Sequence, residues 1–547
     1  MLVRTDKRAL ILKLRNPSRV TVPIPTSKLV THNGNTYVAV PHRPDEVKVL
    51  RNLGFNAPDP MKYYYKFPGR FAPFDAQIET ANFLSMHDRA FCLNSMGLGK
   101  TVTALWTYDY MRDAKMVNKV LVVCPLSTME RTWADEVFKT FPHLDAVVLY
   151  GSRERRKKLL NQDAHIYIIN TDGLTTIHEE LKNRPDINLI IVDEIAMFRN
   201  SGTDRWKTLN EICNKQSQRR IWALTGAPTP HEPTDAWAQC RIVCPTNPDV
   251  PKYFGKFRDM VMKQITSFKW VPRPNAVDIV KQVMQPAVRF ALDDCVDLPE
   301  QTMVSHDVEM TPEQKKAYKA MLEKLMMEYE GGEVLAVNEA VKANKLVQIA
   351  CGVAYGKDGE YINIPSKPRI DVLKEIIESS EGKVLVFVPL TGVLEHVVSE
   401  LSKEFHKADG DGGVAEAVTQ RMNGQKYHHP KVVSVHGGTP KAERDEIFGK
   451  FQSTKEPHVI VANPATMSHG LTLTAATTIV WYAPIHSNDV YEQACARVRR
   501  PGQTRTTVIA HIAASEIERR IYLRLQKKQK LQGSLLELMK GVVDDES

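Results

Sequence analysis

Asn94-Ser-Met-Gly-Leu-Gly-Lys-Thr101 is the stretch that decides how this chain folds. A glycine-rich turn ending in Gly99-Lys100-Thr101 lets the backbone wrap its N–H groups round the phosphates of a nucleotide. Gly97 and Gly99 permit the close approach, Lys100 brings a point charge to the β/γ oxygens, and the Thr101 hydroxyl can ligate Mg²⁺. The strict pattern G-x-x-x-x-G-K-[ST] is not met, since its first glycine falls on Asn94. Alone, the turn also fits a plain strand-to-helix connection. Its flanks favour the nucleotide: Ala90-Phe-Cys-Leu93 is a short apolar strand, and Val102 to Met111 follows as a helix.

A nucleotide-hydrolysing site needs a second, acidic element on a later strand. Asn188-Leu-Ile-Ile-Val-Asp193-Glu194 is a buried-type apolar run that delivers two carboxylates at its end. Asp193 is placed to hold the Mg²⁺ shell, directly or through water, and Glu194 to orient or deprotonate the attacking water. An isolated acidic pair at a strand end is commonplace, but one at this distance after a phosphate loop is not.

The chain of 547 residues is 43% hydrophobic and 25% charged, which excludes a disordered or fibrous protein and implies several cores. Its eight cysteines are scattered. The one close pair, Cys240 and Cys244, lacks the spacing and companions of a zinc site, so free buried thiols and a reducing compartment are expected. No apolar stretch approaches membrane-spanning length and Met1-Leu-Val-Arg-Thr-Asp-Lys-Arg8 has no signal-peptide core. The expectation is a cytoplasmic protein without a membrane partner. A net charge of +9 is compatible with a polyanionic partner.

Strand-like runs recur in two groups with helix-length segments between them. Phe91 to Leu93, Val120 to Cys124, Ile166 to Ile169, Leu189 to Val192 and Ile221 to Leu224 form the first. Val384 to Val388, Val432 to Val435, Val459 to Ala462, Ile479 to Tyr482 and Val508 to Ile512 form the second. This βαβ alternation predicts two parallel-sheet α/β domains. Between them, Thr311-Pro-Glu-Gln314 reads as a capping box opening a helix, so residues 291–365 are expected to be a helical linker. Residues 1–70 are Pro-rich with short alternating stretches and predict a small accessory domain of unassigned role. Arg153-Glu-Arg-Arg-Lys-Lys158 reads as a solvated helix face.

Gln493-Ala-Cys-Ala-Arg497-Val-Arg-Arg500-Pro-Gly-Gln503 closely resembles the last motif of Swi/Snf-type ATPases in helicase superfamily two. Other segments resemble that family's motifs in order. Phe74 to Gln77 matches the adenine-recognising segment, Val123-Cys-Pro-Leu-Ser-Thr128 the motif after the phosphate loop, and Leu224-Thr-Gly-Ala-Pro228 the motif coupling nucleotide to DNA. His436-Gly-Gly438 and Ser468-His-Gly-Leu-Thr-Leu473 fall in the second lobe. The resemblance spans roughly residues 70 to 525. Two departures stand out: Asn94 and Ser95 occupy positions where the family usually has acids, and Ala196 occupies that of a histidine.

The resemblance implies two RecA-like lobes, 71–290 and 366–514, followed at 515–547 by a brace helix and acidic tail. It implies ATP and Mg²⁺ as cofactors, with Gln77, Met96, Gly97, Leu98, Gly99, Lys100, Thr101 and Gly470 binding nucleotide and Thr101 and Asp193 serving the metal. Lys100, Asp193 and Glu194 carry the chemistry in the first lobe, and Arg497 and Arg500 act as arginine fingers; being three apart, they would share a helix face. It further implies a monomeric motor on double-stranded DNA, gripping backbone near Ser127, Thr128, Thr171, Gly437, Thr439, Thr466 and Ser468 without sequence preference. The compact length resembles bacterial or bacteriophage members. A strand-separating helicase and an ATP-bound scaffold that does not hydrolyse are the alternatives.

Overall fold

A computed structural model describes residues 1–526 except 217, 231, 267–268, 331–335, 356–360, 404–420, 423–424, 427–431 and 468–470. The described chain divides into two units, Met1–Cys295 and one beginning at Val296. The first unit opens with an antiparallel sheet of β1 (Leu2–Arg4), β2 (Ala9–Leu12), β3 (Lys28–His32) and β4 (Asn35–Pro41), in the order β1-β2-β4-β3. Asn33 and Gly34 join β3 to β4 with φ of 48° and 73°, the double left-handed turn that matches the twist of a two-residue hairpin. One sheet face buries Leu10, Leu12, Val38 and Val40 against Val20, Ile24, Val47 and Leu50 from the flanking helical segments.

The rest of this unit is an α/β lobe. Its strands are β5 (Arg89–Cys92), β6 (Lys119–Cys124), β7 (Ala146–Val148), β8 (Ile166–Asn170), β9 (Ile187–Asp193) and β10 (Arg220–Leu224). The hairpin β11 (Met262–Thr266) and β12 (Lys269–Pro272) then leads to β13 (Ala287–Val288). The seven-stranded sheet is parallel in the order β13-β5-β10-β9-β6-β8-β7. Runs such as Val120–Cys124 and Ile166–Ile169 are continuously apolar because both of their faces are covered, and two hydrophobic clusters fill the two sides. The order sets β9, β10 and β5 side by side, with Leu224 level with both Asp193 and Cys92. The phosphate loop after β5 therefore lies beside the carboxyl ends that carry Asp193 and Thr225.

The second unit also contains an all-parallel sheet. Its strands are β14 (Gln301–Asp307), β17 (Lys383–Phe387), β20 (Val432–Val435), β21 (Val459–Ala462), β22 (Ala476–Trp481) and β23 (Thr507–Ala513), in the order β14-β23-β22-β17-β21-β20. Two small hairpins, β15 (Val353–Tyr355) with β16 (Tyr361–Asn363) and β18 (Arg421–Met422) with β19 (Gln425–Lys426), stand outside it. Residues 291–365 are not helical throughout: β14 lies within them and pairs over its full length with β23, and β15 and β16 follow the helices Pro312–Glu330 and Ala336–Ala350. The Thr311 capping box is formed, with Thr311 N–H donating to Gln314 Oε1 at 3.0 Å and Gln314 N–H to Thr311 Oγ1 at 3.2 Å. Residues 516–526 are helical, and Ile521, Tyr522 and Leu525 enter the core of this lobe. An ion pair between Arg369 and Glu518, 2.8 Å apart and 1% and 0% exposed, fastens that helix inside. Glu518 also accepts from the N–H groups of Ala514 and Ser515.

Arg153–Leu160 is helical, capped by Ser152, but it is not solvated all round. Arg156 is buried and donates to Leu149 O, Gly151 O and Asn170 Oδ1, tying the helix to the ends of β7 and β8. All eight cysteines are free thiols, and among the described residues no cluster of His, Cys, Asp or Glu is arranged to hold a metal ion by itself. No described helix is long and apolar enough to cross a membrane.

Candidate active site

The loop from Asn94 to Gly99 joins β5 to the helix Lys100–Asp113, whose first-turn N–H groups have no partner within the helix and open toward the loop. Gly99 caps it at φ +65°, and a Cβ there would stand 2.4 Å from Gln77 Nε2. Glycine is required at that point for conformation and for space. Gln77 explains the crowding. Its Oε1 accepts from Phe74 N–H at 2.9 Å and its Nε2 donates to Leu98 O at 3.2 Å, so the segment before β5 holds the phosphate loop from behind. Lys100 Nζ donates to Asn94 O at 3.0 Å and Ser95 O at 3.3 Å. Burial lowers the Lys100 pKa, while the nearby carboxylates of Glu194 and Asp193 hold it up.

Asn94 and Ser95, which depart from the acids that the family resemblance leads one to expect, have structural work. Asn94 is buried, donates to Thr80 Oγ1 at 2.8 Å and accepts from Phe290 N–H at 2.9 Å. This arrangement needs a donor and an acceptor on one side chain, which a carboxylate does not offer. Arg289 donates to Ser95 Oγ at 2.9 Å. The loop is thus fixed to the segment that follows β13.

Asp193 ends β9 and is 9% exposed, and Trp133 Nε1 donates to its Oδ2 at 2.9 Å. Glu194 follows with φ 53° and ψ 55°, a left-handed conformation that costs a non-glycine residue on the order of 1–3 kcal/mol. The turn aims successive carboxylates differently. Thr225 Oγ1 donates to Glu194 Oε2 at 3.2 Å and accepts from Ala227 N–H at 3.1 Å, so the Leu224-Thr-Gly-Ala-Pro228 motif touches the glutamate directly. Gly226 sits against Met96, where an added Cβ would meet Met96 Cγ at 3.0 Å. Ala196 is buried in the short helical turn Ile195–Phe198. With one strand-end carboxylate and the Thr101 hydroxyl opening the helix, the donor set suits Mg²⁺, which binds through one or two protein oxygens together with phosphates and water.

In the second unit, Arg497 and Arg500 do not share a helix face. The helix Asn488–Cys495 ends before them, and Pro501 and Gly502 (φ 98°) keep the chain from resuming it. Arg497 is 2% exposed and its carbonyl accepts from Leu473 N–H at 2.9 Å. Arg500 Nε donates to Ala496 O at 2.8 Å, and burial pulls its guanidinium down to about 10, still charged at neutral pH. Gln503 pins the turn by donating to Ala476 O at 2.9 Å.

Among the described residues the candidate DNA contacts follow strand ends: Ser127 and Thr128 after β6, Thr171 after β8, Gly437 and Thr439 after β20, Thr466 after β21. Their hydroxyls are not equally available. Thr128 Oγ1 donates to Pro125 O, Thr466 Oγ1 to Asn463 O, and Thr439 Oγ1 accepts from His436 N–H, so these shape their turns. Thr171 is also buried, whereas Gly437 is exposed. Ser468 and Gly470 lie outside the described residues. The sequence reading did not assign Trp133 or Thr225 to the site. Thr225 carried a signal, its place in a recognised motif; Trp133, sixty residues from its partner, carried none.

A family model for the SNF2-related domain matches residues 77–351, and one for the helicase conserved C-terminal domain matches 368–502. Protein p41 of Acyrthosiphon pisum secondary endosymbiont phage 1 is 24% identical over 86% of this chain and 99% of its own length. A SWI/SNF-related actin-dependent regulator of chromatin, subfamily A-like protein 1, from Xenopus laevis is 24% identical over 82% of this chain and 42% of its own. An uncharacterized ATP-dependent helicase of Mycoplasma genitalium is 23% identical, over 80% and 39%. The chain thus spans nearly all of the phage relative and less than half of the other two. Among solved structures, the SWI2/SNF2 ATPase core of Sulfolobus solfataricus in complex with double-stranded DNA aligns at 21% identity and a TM-score of 0.40, over 88% of this chain and 96% of that one. With an SNF2-related match that alone covers half of its length, the chain belongs to the Swi/Snf-type family of DNA-dependent ATPases.

Proposed function

We propose that the chain is an ATP-driven motor that translocates along double-stranded DNA as a monomer in the cytoplasm, remodelling the DNA or displacing proteins bound to it. The observation that carries this reading is the contact between Thr225 and Glu194, which links the carboxylate suited to orient water to a motif associated in the family with DNA coupling. Lys100 brings charge to the terminal phosphates and the loop N–H groups cradle them. Thr101 and Asp193 would hold Mg²⁺, which when bound would neutralise phosphate charge. Glu194 aligns the attacking water and accepts its proton, with Thr225 fixing the acceptor oxygen. Arg500 and Arg497 neutralise charge that develops on the transferred phosphoryl group. Ser127 in the short helical turn after β6, Thr171 opening the helix after β8 and Gly437 in the exposed turn after β20 are the candidates for backbone contact, which carries no base code and weakens with salt.

Turnover measured with no nucleic acid, with duplex, with single-stranded DNA and with RNA tests the reading. Duplex should stimulate hydrolysis strongly and RNA should not; equal turnover in all four conditions refutes a DNA motor. Displacement of a triplex strand, with a plain tailed duplex left unseparated, is expected of a translocase. Efficient separation of the tailed duplex would replace it with a strand-separating helicase.

A further inference from the structure

The net charge of +9 is not spread along the chain. Residues 1–70 hold 13 of the 73 Lys and Arg but 4 of the 64 Asp and Glu, leaving 60 of each for everything that follows. The accessory domain carries the whole excess. Its sheet buries one face, and the pairings Leu2↔Ile11, Ile11↔Ala39, Ala39↔Lys28 and Val30↔Tyr37 define the other. That face is apolar at its centre and open: Leu2 is 59% and Val30 43% exposed, Ile11 and Tyr37 are partly buried, and Ala39 is too small to project. Cations rim it. Lys28 ends one row, and the exposed Lys13 and Arg15 lie one and three residues past the end of β2. These three make no ion pair among the described residues, and Arg4, on the same face, is paired with Asp6 at 2.9 Å.

We propose that this face is a second nucleic-acid site, which binds a single-stranded segment of DNA by placing unpaired bases on the apolar floor and phosphates on the basic rim. An apolar floor selects between forms of DNA. A duplex keeps its base faces stacked inside and presents phosphate and sugar, so exposed aliphatic groups gain nothing from it, whereas unpaired bases bury their faces there. Four strands span about 14 Å, enough for the two or three bases that small four-stranded sheets accommodate. The site goes beyond the motor reading, since it uses none of the residues assigned to hydrolysis or to duplex contact.

The test uses the full chain and a labelled 20-nucleotide oligodeoxythymidylate, followed by fluorescence anisotropy across a salt series, with a 20-base-pair duplex in parallel. Lys13→Gln/Arg15→Gln/Lys28→Gln should weaken single-strand binding about tenfold at low salt and reduce the salt slope by about 2, three contacts at about 0.7 each. Leu2→Ser/Val30→Ser, at exposed positions that leave the core intact, should weaken it about threefold with the slope unchanged, which separates base contact from charge. Unchanged single-strand affinity in both variants, or equal losses for single strand and duplex, overturns the proposal and leaves the face to a protein or to duplex backbone. Duplex-stimulated ATP turnover should stay at the parent level in both. If the parent shows no such stimulation while the single-strand losses appear, the motor reading fails and this one stands.

Discussion

The phosphate loop of the first lobe follows the carboxyl end of β5, whereas the arginine turn of the second lies by the amino ends of β22 and β23, and the two hold their functional groups in different ways. In the first lobe each group is fixed by another motif: Gln77 holds Leu98, Thr225 holds Glu194, Trp133 holds Asp193, and Asn94 meets Phe290. In the second, Arg500 is held at 2.8 Å by Ala496 O of its own turn and more loosely, at 3.4 Å, by Thr472 Oγ1, and Gln503 pins the turn to the start of β22. A network of mutual contacts fixes geometry in advance, as catalysis by orientation requires. A locally tethered cation supplies charge whose value depends on what it meets. The first lobe should therefore be sensitive to small losses of positioning and the second to loss of charge.

The largest effect is expected from Glu194→Gln, which keeps the shape of the side chain and removes the proton acceptor. ATP binding should persist while hydrolysis at saturating DNA falls by roughly 10²–10⁴-fold. Parent-like turnover would remove Glu194 from the site. Arg500→Ala should spare nucleotide binding and cost on the order of 10³-fold in turnover, whereas Arg500→Lys should recover part of it if charge is what matters. Equal defects in both would favour the hydrogen bond to Ala496 over charge as the role of Arg500. Thr225→Val tests positioning in the first lobe. Losing one hydrogen bond of about 1–1.5 kcal/mol should lower kcat about tenfold and leave KM for ATP near the parent value. A change in KM alone would separate Thr225 from the chemistry.

The smallest effect concerns stability in the second lobe. Burial pulls the His511 imidazole down from 6.5 to about 4, with its Nε2 2.9 Å from Tyr491 OH and its ring stacked on Tyr522. Between those pH values the unfolded chain binds a proton that the folded lobe excludes, so stability falls as pH drops through this window, by up to about 3 kcal/mol. Hydrogen exchange of the strand Thr507–Ala513 should accelerate from pH 6.5 to 4 beyond its intrinsic pH dependence. In His511→Gln, which keeps a hydrogen-bonding group without titrating here, the excess should vanish; its persistence would place the acid sensitivity elsewhere.

Much of this architecture was legible from patterns that physics makes local. Strands covered on both faces must be continuously apolar, so every run read as a strand in the two groups corresponds to one in the two sheets. β14 escaped because it lies at a sheet edge with Met303 and Val304 exposed, and Gln301-Thr-Met-Val-Ser-His-Asp307 reads as polar linker. The arginine spacing misled because three residues apart signals a helix face only where the helix continues, and this one stops at Cys495. Trp133 and Asp193, like Asn94 and Phe290, meet across long separations, and such pairings are set by strand order rather than by neighbours in sequence.

The buried pair of Arg369 and Glu518 bears on where this protein tolerates being cut. The match to the helicase conserved C-terminal domain ends at residue 502, which invites truncation soon after it. A chain ending between there and Glu518 would strip the guanidinium, 1% exposed in the intact chain, of its counter-charge, a loss on the order of 3–5 kcal/mol and a large part of a domain's total stability. The second lobe is closed electrostatically sixteen residues beyond the end of its match to the helicase conserved C-terminal domain.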